Sequence, residues 1–347
     1  MICIVVLTIA LTCIGTFAYI VIPFRHKIDL KIEGDRILAN DDVIGFTSAP
    51  SASSLRKHLR TGLAYHLFTD ARGARVNAPY QITPAKVTIM TMGCSFSLGH
   101  GIENEETFTS ILGQRFNVPV ANFAMASYGT LQSLQMLERN LDLAPKIIIY
   151  GFIEDHIRRS LSPCAPSFAP FCLAVSYVAF DSEGKPYIHP PHTKYSAAMN
   201  QQFIEDVVWD RFGLDDIVWG AKIAWFRLTS KKMLTYSNDE ESRLKCTNFL
   251  MNKMIELAKN IDAILIVVHI PYFEKGSTNS APSELIDSLS QDTVFIDLSS
   301  AVKDYYQNPE NPDLRLHKYD GHPNASAHKL MADEIEKAIR SKNIRLK

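Results

Sequence analysis

The stretch from Thr88 to Phe108 reads TIMTMGCSFSLGHGIENEETF, an apolar run that ends in Gly-Cys-Ser. A serine at the point where a buried strand turns into a helix can hold its hydroxyl exposed beside backbone N–H groups. That is what an acyl-transfer nucleophile needs. Ser95 is either such a nucleophile or a residue that only caps the helix. A second cluster, YDGHPN, lies near the C-terminus. There His322 can accept a proton, and Asp320 can orient its ring and stabilise the imidazolium. An Asp-x-His pair is also a common surface turn. Finding it after the last strand, with a Gly-x-Ser after the first, favours the hydrolytic reading. A third loaded segment, GFIEDH, places Glu154, Asp155 and His156 behind another apolar run.

The elements that must position these residues are legible from pattern. KVTIMTMG, VPVANFAM and PKIIIYGF read as strands, and NEETFTSILGQRF and GTLQSLQMLERNLD as the helices between them. Acids in the first turn of the former suit the positive end of a helix. Strand–helix–strand at this spacing means right-handed βαβ units and a parallel sheet. Ligands of such sheets bind at the carboxyl ends of strands, where all three clusters fall. Residues 25–85 read as a small β-rich lead-in. Residues 157–238 read as one large insertion, after which a helix near Glu240 to Ile261, the strands AILIVVHI and TVFIDLSS, and the helix NASAHKLMADEIEKAI complete a core over 86–345.

With these residues in place, the chain resembles the SGNH (GDSL-type) hydrolase family over roughly Thr88 to Ile339, the insertion unmatched. GCSF matches the family's Gly-Asp-Ser block with Cys94 in place of Asp, and DGH matches its closing Asp-x-His. The resemblance implies a three-layer α/β/α flavodoxin-like fold, with Ser95 as nucleophile, His322 as base and Asp320 as third member. It also implies an oxyanion hole from the N–H groups of Ser95 and Ser127, plus a side chain at Asp155. Two positions depart from the family. Ser127 stands where a glycine is usual, with Gly129 two residues on. Asp155 stands where an Asn is usual, so it must be protonated, be replaced by His156, or leave a weaker hole. A purely structural turn at Glu154–His156 is the other reading.

Composition narrows the function. The 347 residues are 46% hydrophobic with a formal net charge of -1, and no long basic run argues for nucleic acid. Residues 1–24 carry no charge and are long enough to span a bilayer as an anchor or to serve as a signal segment, with a buried core helix as the alternative. Arg25, Lys27 and Lys31 follow that segment, which by charge bias would keep the downstream side cytosolic. Export is nevertheless expected: Cys164 and Cys172 bracket the loop CAPSFAPFC and could close it as a disulfide, which an oxidising compartment would favour, with two unpaired loop thiols as the other reading. His189 and His192 lack a third ligand and read as a plain loop. Trp209, Trp219 and Trp225 read as core, with a lid or acyl-binding wall as the other reading.

Together these features predict a serine esterase that is membrane-anchored or exported and removes acyl groups from an ester, a glycan or lipid of the envelope. It would use neither metal nor organic cofactor. The same triad would serve acyl transfer to a glycan. A catalytically silent binding module is the alternative from another class.

Overall fold

The structure, a computed structural model, describes residues 15, 30–58, 61–165, 173–192, 238–276, 280–289 and 293–346. The anchor segment other than Gly15, Cys172 and the three tryptophans lie outside the described residues. Among the described residues no helix is long and apolar enough to cross a membrane.

A nine-stranded sheet organises the chain. Its first part is antiparallel: β1 (Leu30–Gly34), β4 (Ser53–His58), β5 (Ala64–Thr69) and β6 (Arg75–Val76), with β2 (Leu38–Asp41) and β3 (Gly45–Ser48) forming a separate hairpin. Its second part is parallel: β7 (Ile89–Gly93), β8 (Val120–Asn122), β9 (Ile147–Phe152), β12 (Ile264–His269) and β13 (Val294–Asp297). These run in the spatial order β8-β7-β9-β12-β13, the 2-1-3-4-5 order of flavodoxin-like sheets. The lead-in strands are therefore not a separate unit. They extend the same sheet through the antiparallel pair Arg75–Asn122.

The parallel strands are buried on both faces, and their side chains alternate between two cores. Met90, Met92, Ile148, Tyr150, Leu265 and Val267 point into one. Ile89, Ile147, Ile149, Ile266 and Val268 point into the other. The helices α3 (Thr130–Arg139), α4 (Asp155–Leu161) and α5 (Glu240–Asn260) cover the first face. The second is covered by α2 (Phe108–Phe116), α7 (Ser299–Tyr305) and α8 (Ala325–Ser341). Two short helices, α1 (Ser95–Leu98) and α6 (Ser283–Asp287), complete the described set. Each fully buried Leu or Ile contributes about 1.5–3 kcal/mol, so these two cores dominate the stability.

Two local results differ from the pattern. The helix expected from Asn104 begins at Phe108. Residues Asn104–Glu106 form a single 3-10 turn, and Thr107 caps α2 by accepting from the Ser110 N–H at 3.2 Å. A capping threonine outcompetes the acids upstream for the start of the helix. The stretch GARVNAPYQI keeps only two residues of strand, because Asn77 leaves the sheet where its backbone N–H turns to Gln81 Oε1. Within the expected insertion, β10 (Tyr177–Phe180) and β11 (Pro186–His189) form a hairpin.

Candidate active site

Gly93 ends β7 with φ +146 and lies in register with Gly151 of β9. A Cβ on Gly93 would stand 2.5 Å from Ser97 Oγ and 2.8 Å from Gly151 O, so only glycine lets the chain turn here. The turn carries Cys94 into the core, where burial raises its thiol pKa, and starts α1 at Ser95. Cys94 is therefore a packing residue.

His322 arrives from the other end of the chain on a hairpin of β14 (Arg315–His317) and β15 (Asp320–Pro323). Asn324 fixes this hairpin. Its side-chain oxygen caps α8 by accepting from Ala327 N at 3.0 Å, and its Nδ2 donates to the carbonyls of Asp313 and Arg315. Leu316 packs on Gly101, whose φ is +87 and whose missing Cβ would fall 2.1 Å from Leu316 Cδ2. The hairpin is thus seated on the loop that follows Ser95.

The result is a line of hydrogen bonds. Ser95 Oγ lies 2.9 Å from His322 Nε2, and His322 Nδ1 lies 2.5 Å from Asp320 Oδ1. Asp320 Oδ1 also accepts the His322 backbone N–H at 3.0 Å. Burial alone would raise the Asp320 carboxyl, but hydrogen bonds and charge from His322, with a further contribution from His100, hold it well below the usual carboxylate range. With Asp320 as acceptor, the neutral ring carries its proton on Nδ1 and offers the Nε2 lone pair to Ser95. Phe96 lies 5.2 Å from the His322 ring, and Tyr272 lies 6.3 Å from Phe96. They form an aromatic flank beside the serine.

Ser127 adopts φ +69, the left-handed conformation that costs a non-glycine residue about 1–2 kcal/mol. Its neighbours fix it. Met125 N–H donates to Gly93 O at 3.1 Å, Tyr128 N–H to Met125 O at 3.2 Å, and Tyr128 Oη to Phe46 O at 2.8 Å. This anchors the 125–128 turn at the end of β7, beside Ser95. Among the described residues, the N–H groups of Ser95 and Ser127 donate to no protein acceptor. Strain held in place with a free donor is the pattern of a preorganised anion site.

Asp155 takes a different place from the one the motif suggests. Its carboxylate accepts from Arg158 at 3.0 Å and pairs with Arg159 at 3.5 Å, one turn along α4. Both carboxylate oxygens are thus engaged by guanidinium groups. His156 does not replace it. It is fully buried, its Nδ1 bonds Tyr150 Oη at 2.8 Å, and burial keeps the ring neutral by pushing its pKa well down. Arg159 instead donates to Tyr128 O at 3.1 Å, which braces the Ser127 turn from below.

The lead-in supplies contacts that the motifs do not announce. Arg75 on β6 is buried and donates to the carbonyls of Leu98, Gly99 and Ile102 at 2.5–2.7 Å, clamping the loop after α1; burial lowers its pKa to about 10. The His100 ring lies tilted against His322, centroids 4.3 Å apart, its Nδ1 meets Tyr65 Oη at 3.1 Å, and its Nε2 faces Asp320 at 3.9 Å. His58 on β4 faces the same carboxylate at 3.9 Å. The one sequence signal for these was a histidine five residues after Ser95, in the segment GHGIEN.

Other residues separate from the site. His189 and His192 flank Tyr177 in the hairpin beyond α4. Cys164 is disulfide-bonded; Cys172, the expected partner, lies outside the described residues. A cavity of about 430 Å³, lined by Asn77, Gln81, Asn104, Gln114 and Asn117 among others, includes none of Ser95, His322 or Asp320. A cavity of about 220 Å³ adjoins the aromatic flank, lined by Glu154, Asp155, Arg158, Asn238, Arg243 and Tyr272.

No family model matches the chain, and no curated protein matches it. Solved structures give distant likenesses. A G-D-S-L family protein from Desulfitobacterium hafniense is 12% identical, with 72% of this chain and 98% of that one covered and a TM-score of 0.37. An acetyl xylan esterase from Butyrivibrio proteoclasticus is 12% identical, with coverages of 76% and 66% and a TM-score of 0.38. A family two carbohydrate esterase from Cellvibrio japonicus is 10% identical, with coverages of 76% and 63% and a TM-score of 0.37. At this level the likeness assigns no activity to this chain.

Proposed function

We propose that this chain is a serine ester hydrolase of the SGNH (GDSL) type. The observation that carries the reading is the line Ser95 Oγ–His322 Nε2, His322 Nδ1–Asp320 Oδ1, at 2.9 and 2.5 Å. Ser95 Oγ attacks the acyl carbon while His322 Nε2 takes its proton. The N–H groups of Ser95 and Ser127 hold the oxyanion. His322 then returns the proton to the leaving alcohol, and water, activated by the same base, releases the acyl group. Asp320 steadies the imidazolium throughout. A preset geometry of this kind weighs against a silent binding module.

The substrate class we propose is an acyl ester of an envelope glycan or lipid, with the hydrolase domain outside the cytoplasm. The apolar residues 1–24 and the disulfide at Cys164 support that location. Kinetics on p-nitrophenyl esters of increasing chain length, with and without a glycan acceptor, test the reading. Hydrolysis that Ser95→Ala abolishes in a folded variant is expected. Acyl product on the acceptor in place of free acid would make the chain a transferase. No turnover of any ester would remove the hydrolase reading.

A further inference from the structure

Asp320 uses one oxygen for catalytic geometry and turns the other elsewhere. Oδ1 meets both N–H groups of His322. Oδ2 lies 3.9 Å from His58 Nε2 and 3.9 Å from His100 Nε2, and the three atoms all fall within 4.8 Å of one another. At 3.9 Å neither imidazole makes a hydrogen bond to the carboxylate. Zinc bonds of about 2.0–2.1 Å at tetrahedral angles put ligand atoms about 3.3 Å apart, so modest side-chain rotations would close the set.

We propose that His58, His100 and Asp320 Oδ2 form a binding site for a divalent transition-metal ion, Zn²⁺ being the best match, and that its occupancy slows hydrolysis. Two imidazoles and one carboxylate suit zinc and disfavour magnesium or calcium, which take oxygen ligands. Three protein ligands leave a fourth position for water. The ligands come from β4, the loop after α1 and β15, each fixed independently. His100 already has the outer-shell partner that metal-binding histidines use, since Tyr65 Oη on its Nδ1 directs Nε2 toward the site. His58, His100 and Asp320 are largely enclosed, with side-chain exposures of 10%, 16% and 20%. Arg56 is a cation close enough to act on His100, and it weakens the hold on a dication without supplying a competing ligand.

The effect on rate follows from the shared carboxylate. A cation on Oδ2 draws charge away from Oδ1, so the imidazolium formed as Ser95 loses its proton is less stabilised. That inhibition rests on the hydrolase reading, whereas the binding does not, so each can fail separately.

The test is a titration of the chelator-treated full chain with Zn²⁺ against a chromophoric chelator, with Co²⁺ absorption reporting the ligand set. The wild type and a His189→Ala/His192→Ala control should bind one ion with equal affinity. His58→Ala should lose at least about 10-fold in affinity, and Tyr65→Phe, which keeps the ring and the packing, about 10-fold or more. The ratio of ester hydrolysis without and with zinc should exceed one in the wild type and return to one in His58→Ala. Should His58→Ala not fold, Tyr65→Phe decides. Zinc affinity unchanged in both variants, no binding by the wild type, or loss of binding in the His189→Ala/His192→Ala control would overturn the site.

Discussion

Asp320→Asn probes the electrostatics of the triad with little change in shape. The His322 backbone N–H on Oδ1 should keep the amide oxygen in that place, so His322 retains its Nδ1–H tautomer. The amide NH₂ would then face His58 and His100. What is lost is mainly charge. Unit charges about 4 Å apart at an effective dielectric of about 20 attract by about 4 kcal/mol. The Asp320 and His322 side chains are 20% and 27% exposed, so screening removes part of this. A loss of about 2–4 kcal/mol of transition-state stabilisation remains, a fall of roughly 30- to 1000-fold in kcat/KM. The assay is p-nitrophenyl acetate hydrolysis across pH, with circular dichroism to establish folding. A rate close to wild type would show that Asp320 does not act on His322 as described.

Three further outcomes follow from the geometry. Ser127→Gly keeps the N–H and relieves the left-handed strain of about 1–2 kcal/mol, offset by the freer unfolded chain, so activity should persist and the melting temperature should hold or rise; a marked loss of activity would point to the hydroxyl. Asp155→Asn should leave the maximal rate and its pH profile unchanged and cost about 1 kcal/mol of stability, because Asp155 and Arg158 are partly exposed while the buried Arg159 keeps its bond to Tyr128 O; a large rate increase would return Asp155 to the oxyanion hole. His328 is buried, accepts from Phe108 N–H through Nδ1 and has its pKa pushed down to about 3. The unfolded chain therefore takes up a proton from about pH 6.5 downward that the fold excludes, and stability falls by about 1.4 kcal/mol per pH unit from this group until pH nears its folded value. His328→Asn should flatten the acid dependence of the denaturant midpoint by that share, and an unchanged slope would refute the assignment.

The parallel core was legible because buried strands such as KVTIMTMG have a pattern that nothing but a two-sided core explains. That Ser95 and His322 would be brought together could be expected because each falls just past an element boundary that local chemistry marks, Gly93 before one and Asn324 after the other. The hidden part was tertiary. Nothing in the lead-in sequence says that Arg75 will bridge to β8 and clamp the loop after Ser95, since a two-residue strand carries no periodicity. His58 and His100 are far apart in sequence and meet only because β4 and the loop after α1 share one end of the sheet. The strained turn at Ser127 was invisible for another reason: the residue type argues against the conformation, and only its anchors, Met125 on Gly93 and Arg159 on Tyr128, impose it. Asp155 misled because the motif fixes a position along the chain, while the choice of partner belongs to the arginines one turn later.

The central claim is that Ser95 is a nucleophile activated by His322. Labelling the purified chain with a fluorophosphonate probe and mapping the adduct by mass spectrometry tests it directly. One adduct per chain on Ser95, absent in Ser95→Ala and strongly slowed in His322→Ala, is predicted. No adduct, or an adduct at another residue that persists in Ser95→Ala, would contradict it.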